Sequence, residues 1–350
     1  MTPWIYHAVV VVTLSIYSSG TLARPAASSA SKSHPVTDDL VGFDESKNRQ
    51  SVSSSSSDSI AGEVLGMTSV LSSSSSSVPT LEIFRLDRSQ FANDTSATAD
   101  PFQPDSVSFV SSSLSSLSAK VRRFIFGTTD NRQYWGMGTY PFHSVGKLQW
   151  DDGVFCSGAL VGPRHVLTAR HCLPDSSSIS GTFAPSFDDG DIDGSANVIA
   201  GMASEGDVPG TSCETKADWA VLALDKSLGS SLGYFGVKTP DPGLFDKPIL
   251  YHQGYPGDLD SGTRPYRVLD VKVLGDTSLD CDPTGPLYTD TDTAGGQSGG
   301  PLWEFASDGD RWIWGALSIG VSWGDGQGYA GFASGAEMVD AVNKFRKKYP

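Results

Sequence analysis

The residues best suited to covalent chemistry lie in the stretch 293–301, TAGGQSGGP, which has two glycines on each side of Gln297-Ser298. Glycine can adopt a positive φ and adds no side chain, so this turn would leave the Ser298 hydroxyl open to a substrate backbone. The backbone N–H groups of Gly296 and Ser298 could then form an oxyanion hole. A glycine-rich hairpin without chemistry is the other interpretation of this stretch taken alone.

A nucleophilic serine needs a general base, and the positions of the six histidines limit the choice. The pattern Gly-x-Ser-x-Gly is also the nucleophile elbow of α/β-hydrolases, in which the catalytic histidine follows the serine. The last histidine of this chain is His252, so none follows Ser298. The base must therefore come from upstream, which excludes the lipase and esterase class.

Two upstream residues have the surroundings expected of a base and its acid. His171 follows the apolar run 166–168 and precedes Cys172. Asp218 precedes the apolar run 219–224, where a carboxylate can be partly buried and still reach an imidazole. Such a carboxylate would fix the imidazole tautomer and stabilise its charged form. The order histidine, aspartate, serine is that of chymotrypsin-type enzymes and not that of subtilisins.

Composition restricts the class of protein that carries these residues. The chain has 350 residues, a net charge of −15 and a pI of about 4.7. Such an acidic chain is a poor partner for nucleic acid or anionic membranes, so we expect neither partner, and we expect a monomer. The acidic balance suits a secreted, extracellular protein.

Four cysteines and the lack of a C-x-x-C pair indicate disulfides rather than zinc. The separation of Cys156 from Cys172 fits a disulfide that would hold His171 against its strand, and Cys213 with Cys281 is the remaining pair. A bridge over a loop of that length stabilises a fold by about 3 kcal/mol. Disulfides also indicate an oxidising compartment.

Residues 1–123, which precede the candidate catalytic residues, have the features of segments that are removed during processing. Residues 1–23 have the apolar run and small residues of a signal peptide, with a membrane anchor as the alternative. Residues 24–123 are rich in serine and predict a largely disordered propeptide, although the stretch 80–86 could dock onto a partner domain. The dibasic pair Arg122-Arg123 predicts its cleavage site, with a solvated charge pair as the alternative. Asn93 begins an N-glycosylation pattern.

Beyond Phe124, short apolar runs separated by turn residues predict an all-β domain with one helix at its end. Ser334 and Glu337 have the spacing of a helix-capping box, and the apolar positions that follow recur on one face of a helix. The runs that predict strands are 145–150, 157–161, 166–168, 197–200, 219–224, 267–273, 301–305, 312–321 and 328–333.

Five motifs, taken together and in this order, resemble the chymotrypsin-like (trypsin-like) serine protease family over about residues 124–335. The pattern Asp-Thr-x-Gly-Gly-Gln-Ser-Gly and the run Pro-Arg-His-Val bring the chain nearest to the glutamyl endopeptidase branch. The motifs are CSGALV at 156–161, LTARHC at 167–172, DWA at 218–220, GQSGGP at 296–301 and VSWG at 321–324.

The resemblance implies a fold of two six-stranded antiparallel β-barrels with a C-terminal α-helix. The first barrel would occupy about 124–232, the second about 233–335 and the helix 336–348. It also implies a secreted serine endopeptidase that acts on polypeptides, made with its own propeptide as a zymogen. The alternative is a binding protein that uses the same fold without catalysis.

The resemblance gives two conflicting indications for the S1 pocket, so the preferred side chain stays open. Asp292 falls where trypsin-like members place the acid that binds Arg or Lys. Thr293, with a new N-terminal ammonium near Phe124, would instead hold an acidic side chain, as in the glutamyl branch. Members of that branch also bind the acidic side chain partly through a histidine, and we expect Val321 to occupy the position of that histidine here.

Two further expectations follow from the resemblance. The strand Ser322-Trp323-Gly324 would bind the substrate backbone by β-augmentation. The acid before the nucleophile, which pairs with the new N-terminus in trypsin-type members, is replaced by Gln297, so activation by that ion pair is not expected.

An acidic turn lies between the histidine and aspartate motifs. Its four carboxylates could hold Ca²⁺, although a solvated acidic turn is the favoured interpretation because no complete EF-hand pattern is present. We expect no other cofactor. The four residues are Asp188, Asp189, Asp191 and Asp193.

Overall fold

The computed structural model of the chain describes residues 81–104, 123–136, 138–207, 209–322 and 327–350. The predicted signal peptide, the remainder of the predicted propeptide with Arg122, and the substrate-strand residues Trp323 and Gly324 lie outside the described residues. No helix in these ranges is long and apolar enough to cross a membrane.

Strands dominate the regular structure, as predicted. The strands are β1 (Glu82–Leu86), β2 (Thr98–Ala99), β3 (Arg123–Phe124), β4 (Gln133–Tyr134), β5 (Val145–Trp150), β6 (Phe155–Gly162), β7 (His165–Thr168), β8 (Gly181–Pro185), β9 (Ala196–Ser204), β10 (Ala220–Leu224), β11 (Gly236–Lys238), β12 (Leu250–Gly254), β13 (Tyr266–Val271), β14 (Leu287–Thr289), β15 (Thr293–Ala294), β16 (Pro301–Phe305), β17 (Arg311–Ser322) and β18 (Gly328–Ser334). The α-helices are α1 (Ser212–Ala217), α2 (Gly229–Leu232) and α3 (Ala336–Lys348).

Six strands, β5 to β10, close into an antiparallel first barrel in the order β9-β10-β7-β6-β5-β8 and back to β9. Their inward-facing apolar side chains, among them Leu148, Leu160 and Phe183, are fully buried. Gly146 lets β5 approach β8 closely, because a Cβ there would lie 2.5 Å from the Ala184 carbonyl oxygen.

Six other strands form the second barrel in the order β14-β18-β17-β16-β12-β13. An isolated bridge between Val273 and Thr289 joins the end of β13 to β14 and closes the ring. Leu302, Trp314 and Phe332 are fully buried in its core. The two barrels and the terminal helix confirm the predicted fold class.

The predicted start of the first barrel at Phe124 is wrong, because residues 123–134 lie on the second barrel. We call this the crossing stretch. β3 pairs with β15 and β4 pairs with β13. Phe124 is only 5% exposed and packs in the second core. The first barrel begins at Val145.

The prediction of a largely disordered segment is also wrong for residues 87–104, whereas the docking considered for 80–86 is seen for 81–86. We call residues 81–104 the docked segment. β1 pairs in parallel with β9, and β2 pairs with β11. The physical reason is that Leu81, Phe91 and Ala99 are apolar side chains that become buried against the domain.

The terminal helix α3 has the predicted bounds, and its apolar face, which includes Met338 and Phe345, is buried. Its predicted capping box does not form. Gly335 is the N-cap, with φ of 115°, and the Ser334 hydroxyl donates instead to the Thr284 carbonyl at 2.9 Å.

Candidate active site

His171 and Asp218 meet at the end of the first barrel. β7 ends at Thr168, and a 3₁₀ turn over Arg170–Cys172 then presents the imidazole. His171 Nδ1 lies 2.6 Å from Asp218 Oδ2, and the His171 backbone N–H donates to Asp218 Oδ1 at 2.9 Å. Because an ionised carboxylate can only accept, Nδ1 carries the proton and Nε2 is left as the basic atom.

Asp218 is held as an anion although it is only 5% exposed. Burial by itself would raise the pKa of this carboxyl, but the charge of His171 and the hydrogen bonds from His171 and Ser318 outweigh burial and lower the pKa below its ordinary value. The acid therefore stays ionised at neutral pH and can stabilise an imidazolium.

The Ser298 turn, residues 295–300, lies against the strand that leads to His171. The Ser157 backbone N–H donates to the Ser298 carbonyl at 2.8 Å. Gly299, with φ of 80°, touches the end of β7, where a Cβ would collide with Thr168 Oγ1 and lie 2.7 Å from the Ala169 nitrogen. Ser298 is buried, and its hydroxyl has no hydrogen-bond partner among the described residues.

Two carbonyl groups of the Ser298 turn are hydrogen-bonded to neighbouring backbone, which orients the peptides that carry the N–H groups of Gly296 and Ser298. The Gly295 carbonyl accepts from the Gly257 N–H at 2.8 Å, and the Gln297 carbonyl accepts from the Gly300 N–H at 2.8 Å. Since a trans peptide carries its C=O and N–H on opposite sides, the N–H groups of Gly296 and Ser298 point away from those partners. The oxyanion hole at these two N–H groups stays a prediction.

Glycine is required at position 296 itself. Its φ is 92°, and a Cβ would lie 2.5 Å from the Tyr255 carbonyl oxygen. The Ser157 hydroxyl donates to the Gly296 carbonyl at 2.8 Å and fixes this peptide.

Gln297 joins the Ser298 turn to a buried polar network that the sequence analysis missed. Its Oε1 accepts from the Ala294 N–H at 2.9 Å and from Arg132 Nη1 at 3.2 Å. Its Nε2 donates to His252 Nε2 at 3.1 Å. The Arg132 side chain is fully buried and pairs with Asp258 at 2.7 Å.

Asp292 is fully buried and bound by the crossing stretch. Its two carboxylate oxygens accept from the backbone N–H groups of Phe126 at 2.7 Å and Asn131 at 2.8 Å. Burial raises the pKa of Asp292, against the lowering effect of these two hydrogen bonds. The expectation that Asp292 meets a basic substrate side chain is not supported by this arrangement.

The hydrogen bond from β17 to Asp218 comes from Ser318, four residues before Ser322, and the substrate strand at Ser322-Trp323-Gly324 stays a prediction. The Ser318 hydroxyl donates to Asp218 Oδ2 at 2.6 Å, so the part of β17 that runs past the histidine and aspartate is Ser318-Ile319-Gly320. Ser322 and Val321 lie further along the strand. The pattern Ser-x-Gly occurs at both places, and the sequence analysis chose the copy that contains Trp323.

Both predicted disulfides form. Cys156–Cys172 joins β6 to the turn that carries His171, with Cα atoms 6.2 Å apart. Cys213–Cys281 joins α1, the helix that ends at Asp218, to the loop before β14, with Cα atoms 5.0 Å apart.

Two carboxylates of the acidic turn are hydrogen-bonded to other side chains of this chain. Asp188 accepts from the Tyr134 hydroxyl at 2.7 Å, and Asp189 accepts from Arg264 Nε at 2.6 Å. Within the described ranges no group of three or more His, Cys, Asp or Glu side chains could hold a metal ion. The calcium site stays a prediction, and the arrangement of Asp188 and Asp189 does not favour it.

Three similarities to known proteins agree with this geometry. The trypsin family model matches residues 136–345. A glutamyl endopeptidase of Bacillus licheniformis is 29% identical over 196 residues, which are 52% of this chain and 55% of the relative. The chain thus matches only about half of that relative's length.

A solved structure of a Glu endopeptidase in complex with MPD covers 63% of this chain and 98% of its own, with a TM-score of 0.50 and 22% identity. At that identity the likeness concerns the fold alone. With a family model that matches residues 136–345, more than half of the chain, the chain belongs to the trypsin family.

Proposed function

We propose that this protein is a secreted serine endopeptidase that hydrolyses peptide bonds through Ser298, His171 and Asp218. One observation carries the proposal. The His171–Asp218 pair, with 2.6 Å between Nδ1 and Oδ2, stands beside the glycine-flanked Ser298 turn in a chain of the trypsin family.

The reaction is an acyl transfer. The Ser298 hydroxyl oxygen attacks the scissile carbonyl carbon while His171 Nε2 takes its proton. The C–N bond then breaks, and the amine leaves with the proton from Nε2. Water then attacks the acyl ester while His171 Nε2 takes a proton from the water. The bond between the acyl carbon and Ser298 Oγ breaks, the acid is released, and Nε2 returns the proton to Ser298. The N–H groups of Gly296 and Ser298 stabilise the oxyanion in both halves.

Substrate backbone binds along the edge of β17 at Ser318-Ile319-Gly320, because this is the part of the strand beside the histidine and aspartate. A peptide added there would be held by main-chain hydrogen bonds, with little regard to its side chains.

For the S1 side chain we propose an acidic residue. The carboxylate of Asp292 is already bound by two backbone N–H groups, which removes the indication for Arg or Lys. Phe124 pairs with Thr293, so an ammonium formed by cleavage before Phe124 would lie next to Thr293. The similarity to a protein named glutamyl endopeptidase supports the same side-chain class.

We also propose that the chain is made with a signal peptide over 1–23 and is cut after Arg123. Asn93, the predicted glycosylation site, is exposed, which a glycan requires. Secretion, processing and a monomeric state fit the acidic composition and the two disulfides.

The test is active-site labelling. A fluorophosphonate probe should label Ser298 in the wild type, and Ser298→Ala should lose labelling and at least about a thousandfold of peptide hydrolysis, because the nucleophile and its base act as one unit. Ser307→Ala is the matched control, an exposed serine on a turn of the same barrel, and should keep both. Peptide binding without labelling or hydrolysis in the wild type would favour the non-catalytic binding protein.

A further inference from the structure

The docked segment is built into the first barrel by backbone pairing. β1 pairs with β9 over five residue pairs, from Glu82 with Ala200 to Leu86 with Ser204. The Glu205 N–H donates to the Leu86 carbonyl at 3.0 Å, which extends the pairing beyond the strand. This contact is part of the sheet and not a loose surface contact.

The docked segment also supplies side chains to the largest buried cluster. Phe91 is 6% exposed and meets the ring of Trp219 edge-on, with 5.1 Å between ring centroids. Ala99 is 1% exposed and belongs to the same cluster as Val342 of the terminal helix. Removing these side chains would leave the apolar neighbours of Asp218 open to water.

Arg88 ties the docked segment to three distant parts of the domain. Its guanidinium pairs with Asp207 at 2.6 Å, Glu337 at 2.9 Å and Asp282 at 3.3 Å. Asp282 also pairs with Lys216 of α1 at 2.6 Å, two residues before Asp218. Hydrogen bonds with Glu337 and the nearby acidic charges raise the pKa of Arg88 against the effect of burial. Without Arg88, these carboxylates would lose their shared cation.

The second half of the docked segment is held by α3. Asn343 Nδ2 donates to the Thr98 carbonyl at 2.9 Å, and Arg346 Nη1 donates to the Asp100 carbonyl at 3.0 Å. The contacts therefore run along the whole segment, and they involve both barrels as well as the helix.

We propose that residues 81–104 are a permanent component of the folded protease and stay bound when the chain is cut after Arg123 or elsewhere within 105–123. Association must be noncovalent, because all four cysteines lie at or beyond position 156 and pair with one another. The processed protein is then a two-chain molecule, with a short chain that carries β1, Arg88 and β2.

A controlled cut tests this proposal without relying on activity. A recognition sequence for a site-specific protease replaces part of 105–122, and the purified full chain is cut and passed over a size-exclusion column. The short chain should elute with the domain and separate only in denaturant. Loss of the short chain in native buffer, with the domain still folded at an unchanged melting temperature, would overturn the proposal.

Two arginines three positions apart provide matched variants. Arg88→Ala should release the short chain at least about tenfold faster after the cut, since it removes the ion pairs that join the segment to Asp207, Asp282 and Glu337. Arg85→Ala, at an exposed position of β1, should release it at the wild-type rate. Equal rates in both variants would contradict the role given to Arg88.

A second measurement applies if Arg88→Ala does not fold. A labelled synthetic peptide of residues 81–104 is mixed with the cut wild-type protein, and its incorporation is followed by fluorescence anisotropy. Exchange into the domain that unlabelled peptide blocks supports the proposal. Absence of incorporation under conditions where the original short chain has dissociated contradicts it.

Discussion

The two barrels hold their shares of the site in different ways. In the first barrel, ladders of paired strands close the ring, and Cys156–Cys172 fixes the turn that carries His171. In the second barrel, a single bridge closes the ring, and the Ser298 turn is held by side chains that reach the crossing stretch. The turn that carries His171 is thus fixed within its own barrel, although Asp218 also accepts a hydrogen bond from Ser318 of β17. The nucleophile depends on polar contacts made by residues far away in sequence.

We expect the largest effect from the removal of Arg132, the buried cation that contacts Gln297 beside Ser298. Arg132→Met leaves Asp130 and Asp258 without their buried partner and should lower the free energy of unfolding by about 3–5 kcal/mol. In the first barrel, Arg164→Met should cost less than about 1 kcal/mol, because Arg164 makes a single side-chain bond to the Asp225 carbonyl. Denaturant unfolding of both variants gives the comparison, and similar losses would remove the distinction between the barrels.

Acid should weaken both barrels through buried histidines, among them His165 of the first barrel and His252 of the second. Burial lowers the pKa of His165 to about 4 and that of His252 to about 4. Arg346 and Arg164 add to the lowering at His165, and Arg132 adds to it at His252.

A depressed histidine pKa gives stability that is present above pH 6.5, the unfolded value, and is lost as pH falls towards 4. The loss is up to about 3 kcal/mol for each histidine. His165→Phe should make the free energy of unfolding less dependent on pH, as measured by denaturant unfolding from pH 7 to 4. An unchanged slope would show that His165 is not protonated on unfolding.

Asp292→Asn tests what the buried carboxylate of the second barrel does. One amide nitrogen would face a backbone N–H, so we expect turnover to fall by about tenfold with an unchanged order of preferred cleavage sites. Asp290→Asn, two residues away and half exposed, should be near wild type. Cleavage of a mixed peptide library measures both, and a selective loss of cleavage after Arg or Lys would place Asp292 in the S1 pocket.

The smallest expected effect concerns the one side-chain bond from the second barrel to the acid of the first. Ser318→Ala removes the 2.6 Å hydrogen bond to Asp218 and should lower kcat about three- to tenfold, which corresponds to about 1 kcal/mol. Ser322→Ala, at the position favoured by the sequence pattern, should leave kcat unchanged. The opposite result would restore the predicted register of the substrate strand.

Sequence alone could predict what local pattern determines. The strands around His171 and Ser298 and the helix 336–348 follow from apolar runs and periodicity, and the histidine, aspartate and serine follow from their order. Side-chain partners could not be predicted in this way. Arg132 looks like any arginine of a polar stretch until the fold brings it to Gln297.

Two features of the structure escaped prediction for the same physical reason. The choice between Ser318 and Ser322 depends on the register of a long strand, and both copies of the pattern satisfy it locally. Docking was considered for residues 80–86 but not for the rest of the docked segment, because serine-rich flanks dominate its average composition and the burial of Phe91 and Ala99 depends on distant partners. Long-range pairing decided both outcomes.

The parallel pairing of β1 with β9 has a consequence for solubility. β9 pairs with β10 along one side, while β8 covers only residues 196 and 197 on the other side and β1 covers 200–204. Without β1, the backbone N–H and C=O groups of that second side would form an open strand edge. Open edges recruit strands from other molecules and start aggregation. By filling this edge within its own chain, the protein removes a place where copies could join one another.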